Sequence, residues 1–132
     1  MPSSRREEAE TQRRAALVIE HGLLDALPRI MEHNAAAPGL IQLDALMRAE
    51  AVNPDHPAHE HVTGAARRFR MQLHADLAAE QITGRLRPGL DLDLTATQLA
   101  SLIEGVQSEW LLNRSIDMAT TIRSFTNDLR AN

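Results

Sequence analysis

The densest group of potential metal ligands in this sequence is the segment 53–61, which reads NPDHPAHEH. It holds three imidazoles and two carboxylates, and side chains of these types bind zinc or nickel when they converge on one point. The spacing argues against convergence, because a proline separates His56 from His59, and because His59 and His61 point to different sides of a helix. A helix N-terminus that Asp55 or His56 caps is the simpler interpretation. We therefore expect no metal site and no cofactor.

Outside this segment the polar residues form no catalytic pattern. Three histidines stand apart from any serine–aspartate arrangement: His21, His33 and His74. Asp91 and Asp93 flank a leucine just before a helix-capping sequence, which suits loop and cap residues. The arginines of 67–70 have the chemistry to bind an anion, although a solvated helix face is the simpler interpretation. The sequence predicts that the chain is not an enzyme and has no catalytic residues.

Composition narrows the class of protein further. A chain of 132 residues with 43% hydrophobic residues suits one domain, residues 1–132, with a genuine core. The net charge of −4 argues against a broad surface for nucleic acid, and the absence of cysteine rules out disulfides and thiolate metal sites. No apolar run approaches the roughly 20 residues that cross a bilayer, and the N-terminus lacks a signal peptide. We expect a cytoplasmic protein with no membrane contact.

Hydrophobic periodicity and helix signals predict six helices and no strand. The first covers residues 5–21 and stops at Gly22. The second opens near Asp25 as its N-cap, which places Pro28 in the first turn, where the missing N–H is tolerated. The third starts at Pro38 and stops before an Asn-Pro pair.

The second half of the chain supplies the other three helices. A long fourth helix runs from about His59 to Gln81, and a loop follows. A T-x-x-Q capping sequence at 95–98 opens a fifth helix that reaches Asn113. Asp117 caps the sixth. The predicted fold is all-α, an orthogonal helical bundle.

The pattern of the fifth helix points beyond a single chain. It carries only two charges, Glu104 and Glu109, and one side bears large apolar residues. The nearly opposite side bears small and apolar residues: Ser101, Gly105, Ser108 and Leu112. A helix with few charges all round is buried on both sides, which in so short a chain favours a second copy as partner. The alternative is that this is the central helix of the chain's own core.

We accordingly predict a homodimer in which the fifth and sixth helices of both copies form a four-helix bundle. The candidate interface residues are Ser101, Gly105, Ser108, Trp110, Leu112, Ile122, Phe125 and Leu129.

A series of short motifs also occurs in a definite order along residues 22–132. The series is PGL at 38–40 with Leu43, DHPAH at 55–59, GRLR at 84–87, EGVQSEWLL at 104–112, and Asp117 with Phe125. In this order it resembles the C-terminal half of TetR-type transcriptional regulators. The resemblance implies an all-helical module that binds a small effector and dimerises through its last two helices. Glu104 stands where that pattern favours aspartate, and Asn113-Arg114 replaces the commoner Asp-Pro.

Members of that family begin with a helix-turn-helix domain, and residues 1–21 are too short to form one. We therefore expect DNA contact only through a helix-turn-helix domain missing from this chain. Effector binding would shift the arrangement of the domain and so change operator affinity. The candidate pocket residues are Leu43, Met47, Phe69, Leu73, Leu77 and Gln107. A helical interaction module without an effector is the alternative, and a cavity or a filled core distinguishes the two.

Overall fold

Six α-helices make up the fold in the computed structural model, which describes residues 5–132. They are α1 (Arg5–His21), α2 (Leu23–Ala35), α3 (Pro38–Ala51), α4 (His59–Ile82), α5 (Leu92–Leu112) and α6 (Met118–Leu129). The predicted all-α class is confirmed. Within the described residues, β structure is limited to one isolated antiparallel bridge between Leu86 and Arg130. Residues 1–4 of the predicted single domain lie outside the described part.

Several helix ends fall where the sequence predicts them, because their signals are local. The first helix ends at His21, and Gly22 follows with a φ of 77°. The third begins at Pro38. Proline is tolerated there because a backbone N–H in the first turn of a helix has no intrahelical acceptor. The sixth begins after Asp117, whose side chain accepts a hydrogen bond from the backbone N–H of Thr120 at 3.0 Å.

The predicted start of α2 near Asp25 is wrong. The helix begins at Leu23, and Asp25 lies within it, where its side chain pairs with Arg130 instead of capping. Pro28 is consequently the sixth residue of α2 and lies beyond the first turn. Its ring leaves the carbonyl of Leu24 without the usual helical donor.

The predicted start of α5 at the capping sequence is also wrong. The helix begins at Leu92, because the Asp91 side chain accepts from the backbone N–H of Leu94 at 3.1 Å. Thr95 lies inside the helix, where its hydroxyl donates to the Asp91 carbonyl at 2.8 Å. Aspartate is at least as strong an N-cap as threonine, and it comes four residues earlier.

The core forms where the apolar sides of α2, α4, α5 and α6 meet. Its most deeply buried large side chains include Leu27, Leu77, Leu99 and Ile122, each at most 2% exposed. The apolar side of α6 lies mainly against α2. By contrast, none of the residues of α1 is buried, and that helix lies at the edge of the bundle.

Candidate ligand cleft and dimer face

The two sides of α5 have opposite environments. One side is buried in the core through Leu99, Ile103, Val106 and Trp110. The other side is exposed and includes Glu109. We call the uncharged stripe along it the α5 outer face. It consists of Leu94, Gln98, Ser101, Gly105, Ser108 and Leu112. Its two leucines lie near the ends of the helix and are 55% and 86% exposed, so the face leaves substantial apolar surface in water.

The predicted interface residues separate into two groups in the structure. Ser101, Gly105, Ser108 and Leu112 lie together on the α5 outer face. The large apolar residues are placed elsewhere: Trp110, Ile122 and Leu129 are buried in the core of the single chain, and Phe125 packs partly buried against that core. These four side chains stabilise the protomer, and the exposed side of α6 is polar. An interface built on the described surface therefore involves α5 without the apolar residues of α6.

A cleft of about 280 Å³ opens between α3 and α5. Its lining residues are Ile41, Asp44, Ala45, Arg48, Glu104, Gly105, Gln107 and Ser108. A hydrogen bond holds the Gln107 side chain in place at the cleft. Its Oε1 accepts this bond from Nδ2 of Asn34, at the end of α2, 2.9 Å away. The lining is mixed, with aliphatic side chains from α3 and charged or polar groups from both helices. Its small volume and mixed lining suit a small ligand that has both polar and apolar parts.

The charges of the cleft centre on Arg48. Its Nε lies 3.1 Å from Glu104 Oε2 and 3.4 Å from Asp44 Oδ2, so one guanidinium faces two carboxylates. Burial raises the pKa of the Glu104 carboxyl; Arg48 and Arg14 oppose this shift, and Asp44 adds to it. The site therefore holds a carboxylate whose ionised form is less well solvated than in water.

Arg14 approaches the same carboxylate from α1. Its guanidinium lies 5.1 Å from the centre of the Phe69 ring, and burial lowers its pKa. The Arg14 guanidinium thus links α1 to the Phe69 ring on α4 and to the Glu104 carboxylate on α5.

Of the six residues predicted to line an effector pocket, Gln107 lines this cleft. Leu73 and Leu77 are buried in the core, and Phe69 packs against it. Leu43 is exposed and Met47 half-buried on α3, away from the residues that line the cleft. The structure therefore does not bring the six residues together around one cavity.

Sequence reasoning missed the charged residues of the cleft, although part of the signal was present. Asp44 and Arg48 are four residues apart, a spacing that places both on one side of a helix. Glu104 is one of two charges in α5, and a charge on such an apolar helix needs a partner. Which helix supplies this partner depends on how the helices pack, and the sequence alone does not specify that packing.

The histidine-rich segment has a structural arrangement. His56 Nδ1 accepts from the backbone N–H of Ala58 at 3.0 Å, and His59 Nδ1 lies 2.7 Å from the carbonyl oxygen of Ala51. His61 contacts a carboxylate of α1. The three rings have separate partners. Among residues 5–132, no group of three or more histidine, aspartate or glutamate side chains is arranged so that it could hold a metal ion.

Comparison of the chain with known protein families, with curated proteins and with solved structures finds no match. In the described part of the chain, no helix has the length and apolar character needed to cross a membrane. Across residues 5–132, fold and site together define an all-α protein in which the exposed α5 outer face lies next to a cleft of mixed aliphatic and charged lining.

Proposed function

We propose that this chain is a helical homodimerisation module, and that it serves as the cytoplasmic ligand-sensing half of a TetR-like transcriptional regulator. One observation carries the dimerisation part: the α5 outer face runs the length of a 21-residue helix without a charge and exposes a leucine at each end. From Leu94 to Leu112 the face spans about 27 Å at 1.5 Å per residue. Burying a leucine side chain contributes about 1.5–3 kcal/mol, and a dimer would bury four.

Gly105 supports close approach of another chain to this face. A glycine inside a helix costs about 0.5–1 kcal/mol relative to alanine. Nothing among residues 5–132 requires it, because a Cβ added at Gly105 would meet none of their atoms within 4 Å. Ser101 and Ser108 keep the neighbouring turns small as well. A second helix backbone can therefore come near α5 at its middle.

A second copy of α5 suits this face because its spacing reads the same in both directions. The outer-face residues follow one another at steps of four, three, four, three and four. An antiparallel pair places Leu94 beside Leu112 of the partner subunit and Ser101 beside Gly105 of the partner subunit. Every contact then occurs twice around one twofold axis, as in a closed dimer.

The size of this interface indicates a dimer of moderate strength. The apolar residues of α6 are already buried in the protomer, so one helix face per copy makes most of the contact. Interfaces of this kind lie at the small end of the range, at about 1,200 Å² in total. We therefore expect the dimer to dissociate on dilution through the micromolar range.

Ligand sensing is the part of the proposal that rests on the cleft and on the sequence resemblance. Occupation of the α3–α5 cleft would favour one arrangement of α3 against α5. In an intact regulator that shift would change the placement of the DNA-reading domains and thus the affinity for DNA.

A helical interaction module without an effector is the second candidate function. It is favoured by the burial of Leu73 and Leu77, which fill the core instead of lining a cavity. The two candidates share the dimer and differ in whether a small molecule binds, so ligand titration distinguishes them.

Sedimentation velocity over a concentration series tests the dimer. Gly105→Arg places a cation in the centre of the α5 outer face, where an added Cβ meets no atom within 4 Å, and circular dichroism checks that the variant keeps its helices. Gly39→Arg is the matched control, because Gly39 is also helical and open but lies on α3. We expect a dimer for the parent chain and for Gly39→Arg, and a folded monomer for Gly105→Arg. A monomeric parent chain, or identical behaviour of both variants, would contradict the proposal.

A further inference from the structure

Gly105 and Ser108 belong to two surfaces at once. They lie on the α5 outer face, and they also line the cleft between α3 and α5. A second copy seated on the outer face therefore lies across the open side of the cleft. A ligand in the cleft would then lie next to the partner helix.

We propose that the α3–α5 cleft binds a small zwitterion of amino-acid size, and that the partner subunit closes the cleft over it. The inference rests on the proposed dimer and adds to it the class of ligand and its coupling to assembly.

The charges of the cleft match a molecule that carries both an ammonium and a carboxylate. Asp44 and Glu104 each come closest to Nε of Arg48, so a ligand carboxylate would pair with the terminal nitrogens of the guanidinium. Among the lining residues two carboxylates stand against one guanidinium. Arg14, which does not line the cleft, offsets part of this excess at Glu104, and a ligand ammonium beside Asp44 would neutralise the rest. A ligand with only one charged group would leave one side of this arrangement uncompensated.

The size and the wall of the cleft limit the ligand further. Its volume of about 280 Å³ lies just below the lower end of pockets for drug-sized molecules. Ile41 and Ala45 form an aliphatic wall on α3, suited to a short hydrocarbon side chain. Gln107 adds a primary amide, fixed by Asn34, next to the charged groups. These features fit a free amino acid or a similar short aminocarboxylate.

The partner subunit would complete the site with uncharged polar groups. In the antiparallel arrangement Gln98 of the partner subunit lies beside Ser108, at the open side of the cleft. The ligand and the partner subunit would then together exclude water from the open side of the cleft. Because linkage is reciprocal, a ligand that binds the dimer more tightly than the monomer strengthens the dimer by the same factor for each cleft that it occupies.

The test is sedimentation velocity of the parent chain with each of the twenty proteinogenic amino acids and 4-aminobutyrate as probes, at about 1 mM. Butylamine and butyrate serve as probes with a single charge. We expect at least one zwitterion to lower the dimer dissociation constant about fivefold or more, and neither single-charge probe to do so. In Arg48→Ala the dimer dissociation constant should no longer respond to that zwitterion. Arg70→Ala, which removes an exposed arginine of α4, should keep the response.

The possible failures can be told apart. If the parent chain stays monomeric at all concentrations, the proposed dimer is wrong. If it dimerises but no zwitterion changes its dissociation constant, the dimer stands and this inference is overturned. Amide chemical shifts of Gly105 and Ser108 in the Leu112→Glu variant, whose substitution lies outside the cleft, report on binding to the monomer. Binding there that is as tight as to the parent dimer would contradict closure of the cleft by the partner subunit.

Discussion

The carboxylate of Glu80 on α4 accepts a hydrogen bond from the backbone N–H of Leu23, the first residue of α2, at 2.8 Å. The two residues are 57 positions apart in the chain. Gly22 precedes the helix and has no side chain to cap it, so Glu80 satisfies this free backbone donor. Arg85 donates to the other carboxylate oxygen at 3.2 Å, which compensates the buried charge. This contact fixes where α2 begins and joins it to α4.

The first prediction is that Glu80→Ala destabilises the fold by about 1–3 kcal/mol. Glu80 is only 5% exposed, and its removal leaves the Leu23 N–H buried without a partner. Denaturation in urea, at one fixed protein concentration, measures the change. Glu60→Ala, on the exposed side of the same helix, is the control and should cost about 0.5 kcal/mol or less. Equal losses for the two variants would show that the cap contributes nothing.

The second prediction concerns Gly22. It has a φ of 77°, and an added Cβ would lie 2.8 Å from Glu80 Oε1. Gly84 has almost the same φ, 75°, but open space around it. Gly84→Ala should therefore cost about 1–2 kcal/mol from the backbone alone, whereas Gly22→Ala should cost more.

A double-mutant cycle separates the two causes at Gly22. In the Glu80→Ala background the clash is absent, so Gly22→Ala should cost about as much as Gly84→Ala does in the parent chain. Unfolding free energies from chemical denaturation give the comparison. An unchanged cost of Gly22→Ala in that background would contradict the clash.

These contacts explain which helix boundaries the sequence predicts. The start of α3 depends on Pro38 and the start of α6 on Asp117, so neighbouring residues contain the signal. The start of α2 depends on Glu80, which is distant in sequence, and local signals there favoured Asp25 instead. For α5 two local caps competed, and Asp91 prevails over the capping sequence at 95–98.

The same distinction applies to the site. The periodicity of α5 predicts two different sides, because that pattern is contained in one helix. Pairing of Arg48 with Glu104 depends on α3 packing against α5, which no local pattern specifies. For α6 the apolar stripe of Ile122 and Leu129 is visible in the sequence, but its partner is not. The structure places that stripe against α2 of the same chain.

The third prediction is a pH dependence at Glu104. Burial raises its pKa in the folded chain above the ordinary value of 4.5. The stability that this group contributes is therefore present below the unfolded-state pKa, and is lost as the pH rises through the folded-state pKa. Glu104→Gln removes this loss. The free energy of unfolding of Glu104→Gln relative to the parent chain should accordingly increase from about pH 4 to about pH 7.

Denaturation curves at both pH values measure this difference. Glu109→Gln is the matched control, an exposed glutamate of the same helix. Its effect relative to the parent chain should change less between the two pH values. A Glu104→Gln variant that loses stability relative to the parent as the pH rises would contradict the sign of the shift.

The last prediction uses two leucine-sized residues at the ends of neighbouring helices. Leu112 is the last residue of α5 and 86% exposed, and Ile82 is the last residue of α4 and 85% exposed. Glutamate at either position adds the same charge next to a helix C-terminus, so the cost to the protomer should be similar and small. Only Leu112 lies on the α5 outer face.

Leu112→Glu should thus weaken the dimer at least about tenfold, since a charge replaces a leucine–leucine contact at both ends of the antiparallel pair. Ile82→Glu should leave the dimer dissociation constant within about twofold of the parent value. Sedimentation velocity gives both constants, and circular dichroism checks that both variants keep their helices. A greater effect of Ile82→Glu would move the contact surface to the end of α4 and remove α5 from it.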